Sequence, residues 1–403
     1  MESAGIFRSL KYRNFRLYFT GQCISLIGTW MQRLAVSWMV WRITESAFIL
    51  GLVGFLGLIP SLVLSPYAGA YADRHDRFKI LFRSQVASML QSGALALIIL
   101  LGWYNMPAIL VLSFAQGIIN AFDTTSRQSL VVAFIDDKKD LPNAIALNST
   151  MVNLARILGP AVAGVILSAW GEGICFLVDF LTFIAVLISL MLMRLPAAVP
   201  QKHTASIWEG FREGYRYLRN HRDIRSVILM LAIINILVTP YSTLAPVFAS
   251  HVYNGNATTF SWFGTCTGFG ALCVAVYMAA LKPGRDLLKI IVIAGLTFAV
   301  SVCCFSLSRS LPLALFFVAL AGGGMMAQIA ATNTYVQTHV EDRMRSRVIG
   351  YYVMAFQGML PVGNLITGTI AHQLGAKHTV TIQSIAGAVC VALFAWYTRG
   401  GKE

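Results

Sequence analysis

The run Gly69-Ala70-Tyr71-Ala72-Asp73-Arg74-His75-Asp76-Arg77-Phe78-Lys79 sets two acids and three strong bases among apolar neighbours. A glycine at such a place lets two helices approach closely. Asp73 at a helix end can accept the positive dipole of a neighbouring helix. Arg74 and Arg77 can pair with carboxylates on adjoining helix ends. Bonds of this kind hold in one arrangement of a two-state protein and break in the other, so Gly69, Asp73, Arg74 and Arg77 form a candidate gate. Asp123, four residues before Arg127, is the acid expected to pair with Arg74 or Arg77.

Arg33 and Arg156 interrupt long apolar stretches, where an ionisable side chain is costly and marks function. Helical spacing gives them polar company. Gln22, Ser25, Thr29 and Gln32 line up before Arg33, and Thr150, Asn153, Arg156 and Pro160 form a second stripe. Gln116, Asn120, Asp123 and Arg127 form a third. Arg33 and Arg156 are candidates for binding a substrate anion or acting as counter-ions; the alternative is a structural pair bonded to helix ends. Asp179 is the one deeply placed acid and a candidate proton site, with a structural role as the alternative. Asn235 opens a cluster with Thr239, Pro240, Tyr241 and Pro246 that points to a bent, cavity-facing helix. Trp30, Trp38 and Trp41 offer stacking surfaces or interface anchors. Gly159, Pro160 and Gly164 present a small-residue face with a helix bend, a second candidate gate.

These residues need elements to carry them. Of 403 residues, 57% are hydrophobic and 12% charged, and mean hydropathy is +0.68. Soluble chains carry about 25% charged residues, so a soluble enzyme, a disordered chain and an ordinary nucleic-acid-binding domain are excluded. Twelve apolar segments are traced, at about 15–41, 47–72, 78–101, 107–127, 143–170, 173–194, 224–251, 258–281, 286–308, 311–337, 346–373 and 376–398. Each suits a span of about 20 residues, and none has the short alternation of a barrel strand. The apolar run after the basic start exceeds a signal peptide's, so no cleavable signal is expected.

If the spans alternate, 26 of the 31 Lys and Arg residues lie on one side, which places both termini and the 195–223 link in the cytoplasm. That link separates residues 1–194 from 224–403 as two six-helix bundles. Weak echoes between the halves, such as Arg13-Asn14-Phe15-Arg16 and Arg222-Asp223-Ile224-Arg225, fit a repeat about an axis along the membrane normal. Residues 207–218 read as an amphipathic interfacial helix or a plain basic connector. The seven cysteines sit in apolar stretches and read as small buried hydrophobes. No metal site, phosphate-binding loop or hydrolase motif is found, so no metal, no cofactor and no catalytic residue is expected. Asn256-Ala257-Thr258 is a glycosylation sequon of a kind that often arises by chance.

The 69–79 run resembles the loop signature of the major facilitator superfamily, and Lys282-Pro283-Gly284-Arg285-Asp286 resembles a degenerate second copy. Gly159-Pro160 with Gly164 resembles the antiporter motif of its exporters. Gly28-Thr29-Trp30-Met31-Gln32-Arg33, Leu141-Pro142-Asn143-Ala144 and Asp179-Phe180-Leu181-Thr182 add a resemblance to the branch of enterobactin and macrolide exporters. The resemblance spans nearly the whole chain. It implies a twelve-helix, all-α membrane fold in the bacterial inner membrane. It also implies proton-coupled efflux of an amphipathic siderophore or drug, by a protein acting as a monomer with no nucleic-acid partner. Gln32, Arg33, Gln116, Asn120, Asn153, Arg156, Asn235 and Asp179 then lie along the substrate or proton pathway. One departure stands out: exporters often carry Arg three residues before Gln-Gly on span four, where this chain has Ser113 before Gln116-Gly117. Import on the same fold and a non-transporting receptor are the rival readings.

Overall fold

A computed structural model describes residues 5, 7–135, 137–194, 207–281 and 284–400. Only the backbone is described for Asp73, Ser129, Lys138, Ile207, Trp208, Arg399 and Gly400. The described residues form helices joined by short turns, with no strand among them.

The helices are α1 (Arg13–Thr44), α2 (Ala47–Arg74), α3 (Arg77–Leu100), α4 (Met106–Val131), α5 (Leu141–Met191), α6 (Ile207–Asn220) and α7 (Arg222–Leu237). The short α8 (Ala245–Val247) lies between 3-10 and π turns. The chain continues through α9 (Ala257–Ala279), α10 (Leu287–Leu307), α11 (Leu311–His339), α12 (Asp342–Val353), α13 (Met359–Leu374) and α14 (Ala376–Gly400). Local chemistry sets several starts. Asp76 caps α3 by accepting from the backbone N–H groups of Phe78 (2.9 Å) and Lys79 (3.3 Å). Asn105 caps α4 and Asp286 caps α10. The Asn256 side chain is the N-cap of α9, in a capping box with Thr259.

Nine helical stretches among the described residues are long and apolar enough to cross a membrane. One of them, α5, would run about 75 Å at 1.5 Å per residue, far beyond a bilayer core of about 30 Å. Gly171 breaks it, at φ 79° and ψ −177°, a conformation essentially reserved for glycine. The helices α1 (32 residues) and α3 (24 residues) have the length but are not among the nine. Both carry polar side chains that they bury: Gln22, Ser25 and Gln32 on α1, and Ser84, Gln85, Ser88, Gln91 and Ser92 on α3.

The chain forms two compact units, Met1–Met39 with Ile59–His203 and Val40–Leu58 with Thr204–Glu403. In the first, Phe15, Tyr18, Phe134, Met151, Phe183 and Val186 form an apolar core. In the second, Phe305 packs tilted against Phe248 (4.8 Å) and edge-to-face against Phe263 (5.4 Å). Large apolar side chains such as Val63, Leu97, Val111, Val165, Phe269 and Trp396 remain exposed, as a lipid-facing surface requires.

Candidate functional site

The first unit holds a ladder of buried polar side chains built on α3. Its members recur every three or four residues, so they share one face. Gln91 Oε1 accepts from Gln32 Nε2 of α1 at 3.0 Å, and Gln91 Nε2 donates to the Leu112 carbonyl of α4 at 3.3 Å. Gln116 Nε2 on α4 donates to Ser88 Oγ at 3.4 Å and to Asn120 Oδ1 at 3.2 Å. Gln85 Nε2 donates to Asp123 Oδ1 at 2.5 Å, and Arg127 Nη2 pairs with Asp123 Oδ2 at 3.0 Å. The partner of Asp123 is therefore on its own helix, one turn away, and not the Arg74 or Arg77 expected from sequence.

Asp179, on the second arm of α5, is fully buried and has no ion pair among the described residues. Ser92 Oγ lies 2.9 Å from Asp179 Oδ2 and 3.0 Å from the Phe176 carbonyl oxygen. One hydroxyl proton fully serves only one of these acceptors. Asp179 Oδ1 has no hydrogen-bond partner. It faces Gly28 of α1 so closely that a Cβ at position 28 would stand 2.6 Å from it.

Arg33 and Arg156 meet on one side chain. The Arg33 Cζ lies 5.0 Å from the Trp30 ring centroid, and the Arg156 Cζ lies 5.3 Å from the same centroid. These are cation–π contacts. Trp30 is held from behind by Gly159, where an added Cβ would collide with Trp30 Cβ and stand 3.1 Å from the Ile27 carbonyl oxygen. Arg33 is exposed, Arg156 is half-buried, and Arg156 Nε is buried with no hydrogen-bond partner. Gly164 and Pro160 are buried on α5, whose backbone stays helical through Pro160.

The 69–79 run ends α2 and begins α3. Gly69 is not a site of close helix approach: a Cβ there would meet only Thr125 Cγ2, at an ordinary 3.7 Å. The side chain of Asp73 lies outside the described residues, as do Lys282 and Pro283 of the second copy. Arg74 is exposed and Arg77 half-buried. A second charged cluster is centred on Asp140. Its carboxylate takes Arg8 Nε (2.7 Å), Lys11 Nζ (2.7 Å) and the Tyr12 hydroxyl (2.9 Å). The hydrogen bond from Lys11, then that from Tyr12, holds the Asp140 carboxyl below its ordinary range, and the same bond raises Lys11.

Asn153 and Asn235 do not join the ladder. The Asn153 amide donates to Ser149 on its own helix at 3.0 Å. Asn235, in the second unit, donates to the Leu231 carbonyl at 2.9 Å and accepts from Thr239 at 3.1 Å. The same unit contains residues 40–58, where Gly51 packs on the Gly368 backbone and Trp41 Nε1 donates to Ser250 Oγ at 2.6 Å. There α6 docks on α12 through a Phe211–Tyr351 ring contact of 4.6 Å and an Arg347–Glu213 ion pair.

The polar ladder lies inside apolar helices, and comparison with known proteins identifies the family. The profile of the family described as transmembrane secretion effector matches residues 4–399. The chain belongs to that family of the major facilitator superfamily. It is 25% identical to the staphyloferrin A transporter of Staphylococcus aureus, over 95% of both chains. It is 22% identical to macrolide efflux protein A of Streptococcus pyogenes, over 95% of this chain and 96% of that one. A bacterial homolog of the human lysosomal transporter Spinster, solved inward-facing and unoccupied, has the same fold. The TM-score is 0.73 at 15% identity, over 96% of this chain and 97% of that one. This facilitator is thus an integral membrane transporter and not an enzyme.

Within this facilitator the buried polar face of α3 is the feature that sequence reasoning missed. Ser84, Gln85, Ser88, Gln91 and Ser92 carry no charge, so a search led by charge passes over them. Their three- and four-residue spacing was the available signal.

Proposed function

We propose that this protein exports an amphipathic small molecule, of siderophore or drug type, in exchange for protons by alternating access. Twelve spanning helices in two six-helix halves, residues 1–194 and 224–403 joined by 195–223, carry the exchange. Three features support that count: nine apolar helical stretches, the Gly171 break that makes two spans of α5, and the two polar-faced helices α1 and α3. The excess of Lys and Arg on alternate links supports cytoplasmic termini in a bacterial inner membrane. The protein works as a monomer.

The observation that carries the reading is the α3 ladder, three hydrogen-bonded polar groups set along one face through apolar helices. Each polar group left unpaired there would cost several kcal/mol in the absence of water. Gln32, Gln116, Asn120, Arg33, Asn153 and Arg156 line the substrate route in the first unit, and Asn235 lines its own part in the second. Asp179 takes the proton: a proton on its carboxyl completes the hydrogen bonding that a lone Ser92 hydroxyl cannot. The 69–79 run with Asp123 gates the cytoplasmic side, and the Gly159–Trp30 contact seals against leak. The names of both relatives favour this class of cargo. The test is proton flux in proteoliposomes of the full chain. Substrate movement against an imposed pH gradient, lost in Asp179→Asn, is expected; co-movement of substrate and protons in one direction would establish import instead.

A further inference from the structure

The two arginines that share Trp30 have an unmet need. Among the described residues neither guanidinium has a hydrogen bond or ion pair, and the one direct contact each makes is to the indole. Two contacts of 5.0 and 5.3 Å to one centroid keep the two positive charges within about 10 Å of each other, a range at which like charges repel. Arg156 also buries its Nε with no acceptor. Buried Asp179 attracts Arg33 electrostatically but makes no ion pair with either guanidinium; its carboxylate accepts from Ser92. Ion pairs elsewhere in this unit are made where an acid is at hand, as at Arg127–Asp123, Arg8–Asp140 and Lys11–Asp140. The Trp30 pair is built without one.

We infer that Arg33, Arg156 and Trp30 form a polyanion clamp, and that the transported molecule carries at least two oxyanion groups, carboxylate or phosphate. Guanidinium is the side chain that binds such groups through paired, geometrically matched hydrogen bonds. A ligand with one oxyanion for each arginine satisfies the buried Nε, cancels the repulsion and leaves the indole as a fixed backing. Gly159 fixes that backing, because its lack of a side chain lets Trp30 Cβ lie against α5. A cationic cargo meets two like charges at the same place. This inference rests on the transport reading above and narrows its cargo.

The test compares the spent medium of the native host carrying the full chain, an empty vector in the deletion strain, and Arg33→Gln, Arg156→Gln, Arg33→Lys and Arg156→Lys chains. Membrane abundance of each variant is matched by immunoblot. Medium is separated by anion and cation exchange and read by untargeted mass spectrometry. Compounds enriched by the wild type are expected in the anion-exchange fraction. Each Gln variant should lower that enrichment at least tenfold, and each Lys variant should keep a substantial part of it. A phosphate fragment in tandem spectra separates organophosphates from polycarboxylates. Enrichment confined to the cation-exchange or unretained fraction, or Gln variants equal to wild type, overturns the clamp while leaving export intact. No enrichment of any compound by the wild type overturns the export reading itself.

Discussion

Two motif glycines, Gly69 and Gly159, look alike in sequence and should respond oppositely to the same substitution. At Gly159 a new Cβ would collide with Trp30 Cβ and press on the Ile27 carbonyl oxygen at 3.1 Å and the Met31 nitrogen at 3.2 Å. Two of these three neighbours are backbone of α1, which cannot swing aside. At Gly69 the nearest atom is Thr125 Cγ2 at 3.7 Å, a normal contact. Alanine gains about 0.5–1 kcal/mol over glycine in a helix interior. Overpacking a tight contact costs about 1–3 kcal/mol. Gly69→Ala should therefore stabilise the purified protein by about 0.5–1 kcal/mol, and Gly159→Ala should fall about 1–3 kcal/mol below it. Reversible unfolding in detergent, followed by far-ultraviolet circular dichroism, measures both on the same scale. Because Trp30 is the backing for Arg33 and Arg156, Gly159→Ala should also cut transport at matched abundance. Equal stabilities for the two alanine variants would refute the assigned close contact of α1 with α5.

Three further outcomes follow from the same geometry. Gly171→Ala should cost about 1–3 kcal/mol although its Cβ meets nothing within 4 Å, because a side chain is strained at φ 79° whatever the space; unfolding measurements check it. Asn256→Ala should cost about 1 kcal/mol through loss of the α9 cap, while Asn256→Asp retains it. The Asp140 carboxyl titrates below its ordinary range, so its hold on Arg8, Lys11 and Tyr12 is complete above the ordinary carboxylate range and lost as pH falls through its lowered value. Hydrogen-exchange protection across residues 7–12, taken relative to the intrinsic exchange rate at each pH, should fall on acidification in the wild type and already be low at neutral pH in Asp140→Asn.

The helical architecture was legible because apolar runs of span length leave the backbone no other way to satisfy its polar groups. The break at Gly171 was legible too, since the segments traced to 170 and from 173 bracket it. Partners were less legible. Asp123 was matched to distant arginines, yet Arg127 stands four residues on, the spacing that helical geometry favours. The motif at Gly69 suggests a close helix crossing, whereas the tight helix contacts of the first unit fall at Gly21, Gly28, Gly93, Gly159 and Gly173. Which glycine a neighbour leans on depends on the neighbour, and a single helix does not encode it. The meeting of Arg33 and Arg156 on Trp30 lies 123 residues apart in the chain and has no local signature.

Gly28 offers a sharper test of how Asp179 is held than any change to the acid alone. An added Cβ at position 28 would stand 2.6 Å from Asp179 Oδ1 and against the Thr182 hydroxyl. Gly28→Ala should therefore destabilise by about 1–3 kcal/mol through overpacking. Asp179→Ala removes the obstructing carboxylate and leaves Ser92 the Phe176 carbonyl oxygen at 3.0 Å, so its cost should be about 0.5–1.5 kcal/mol, that of one hydrogen bond. In the double variant the new methyl enters space that the carboxylate has left. The two costs should then fall short of adding by about 1 kcal/mol or more, the mark of residues in contact. Thr182→Ala added to the pair should recover more, because it clears the second obstruction. Strict additivity across this cycle would mean that α1 does not lie against Asp179, and the proton role assigned to that acid would lose its structural basis.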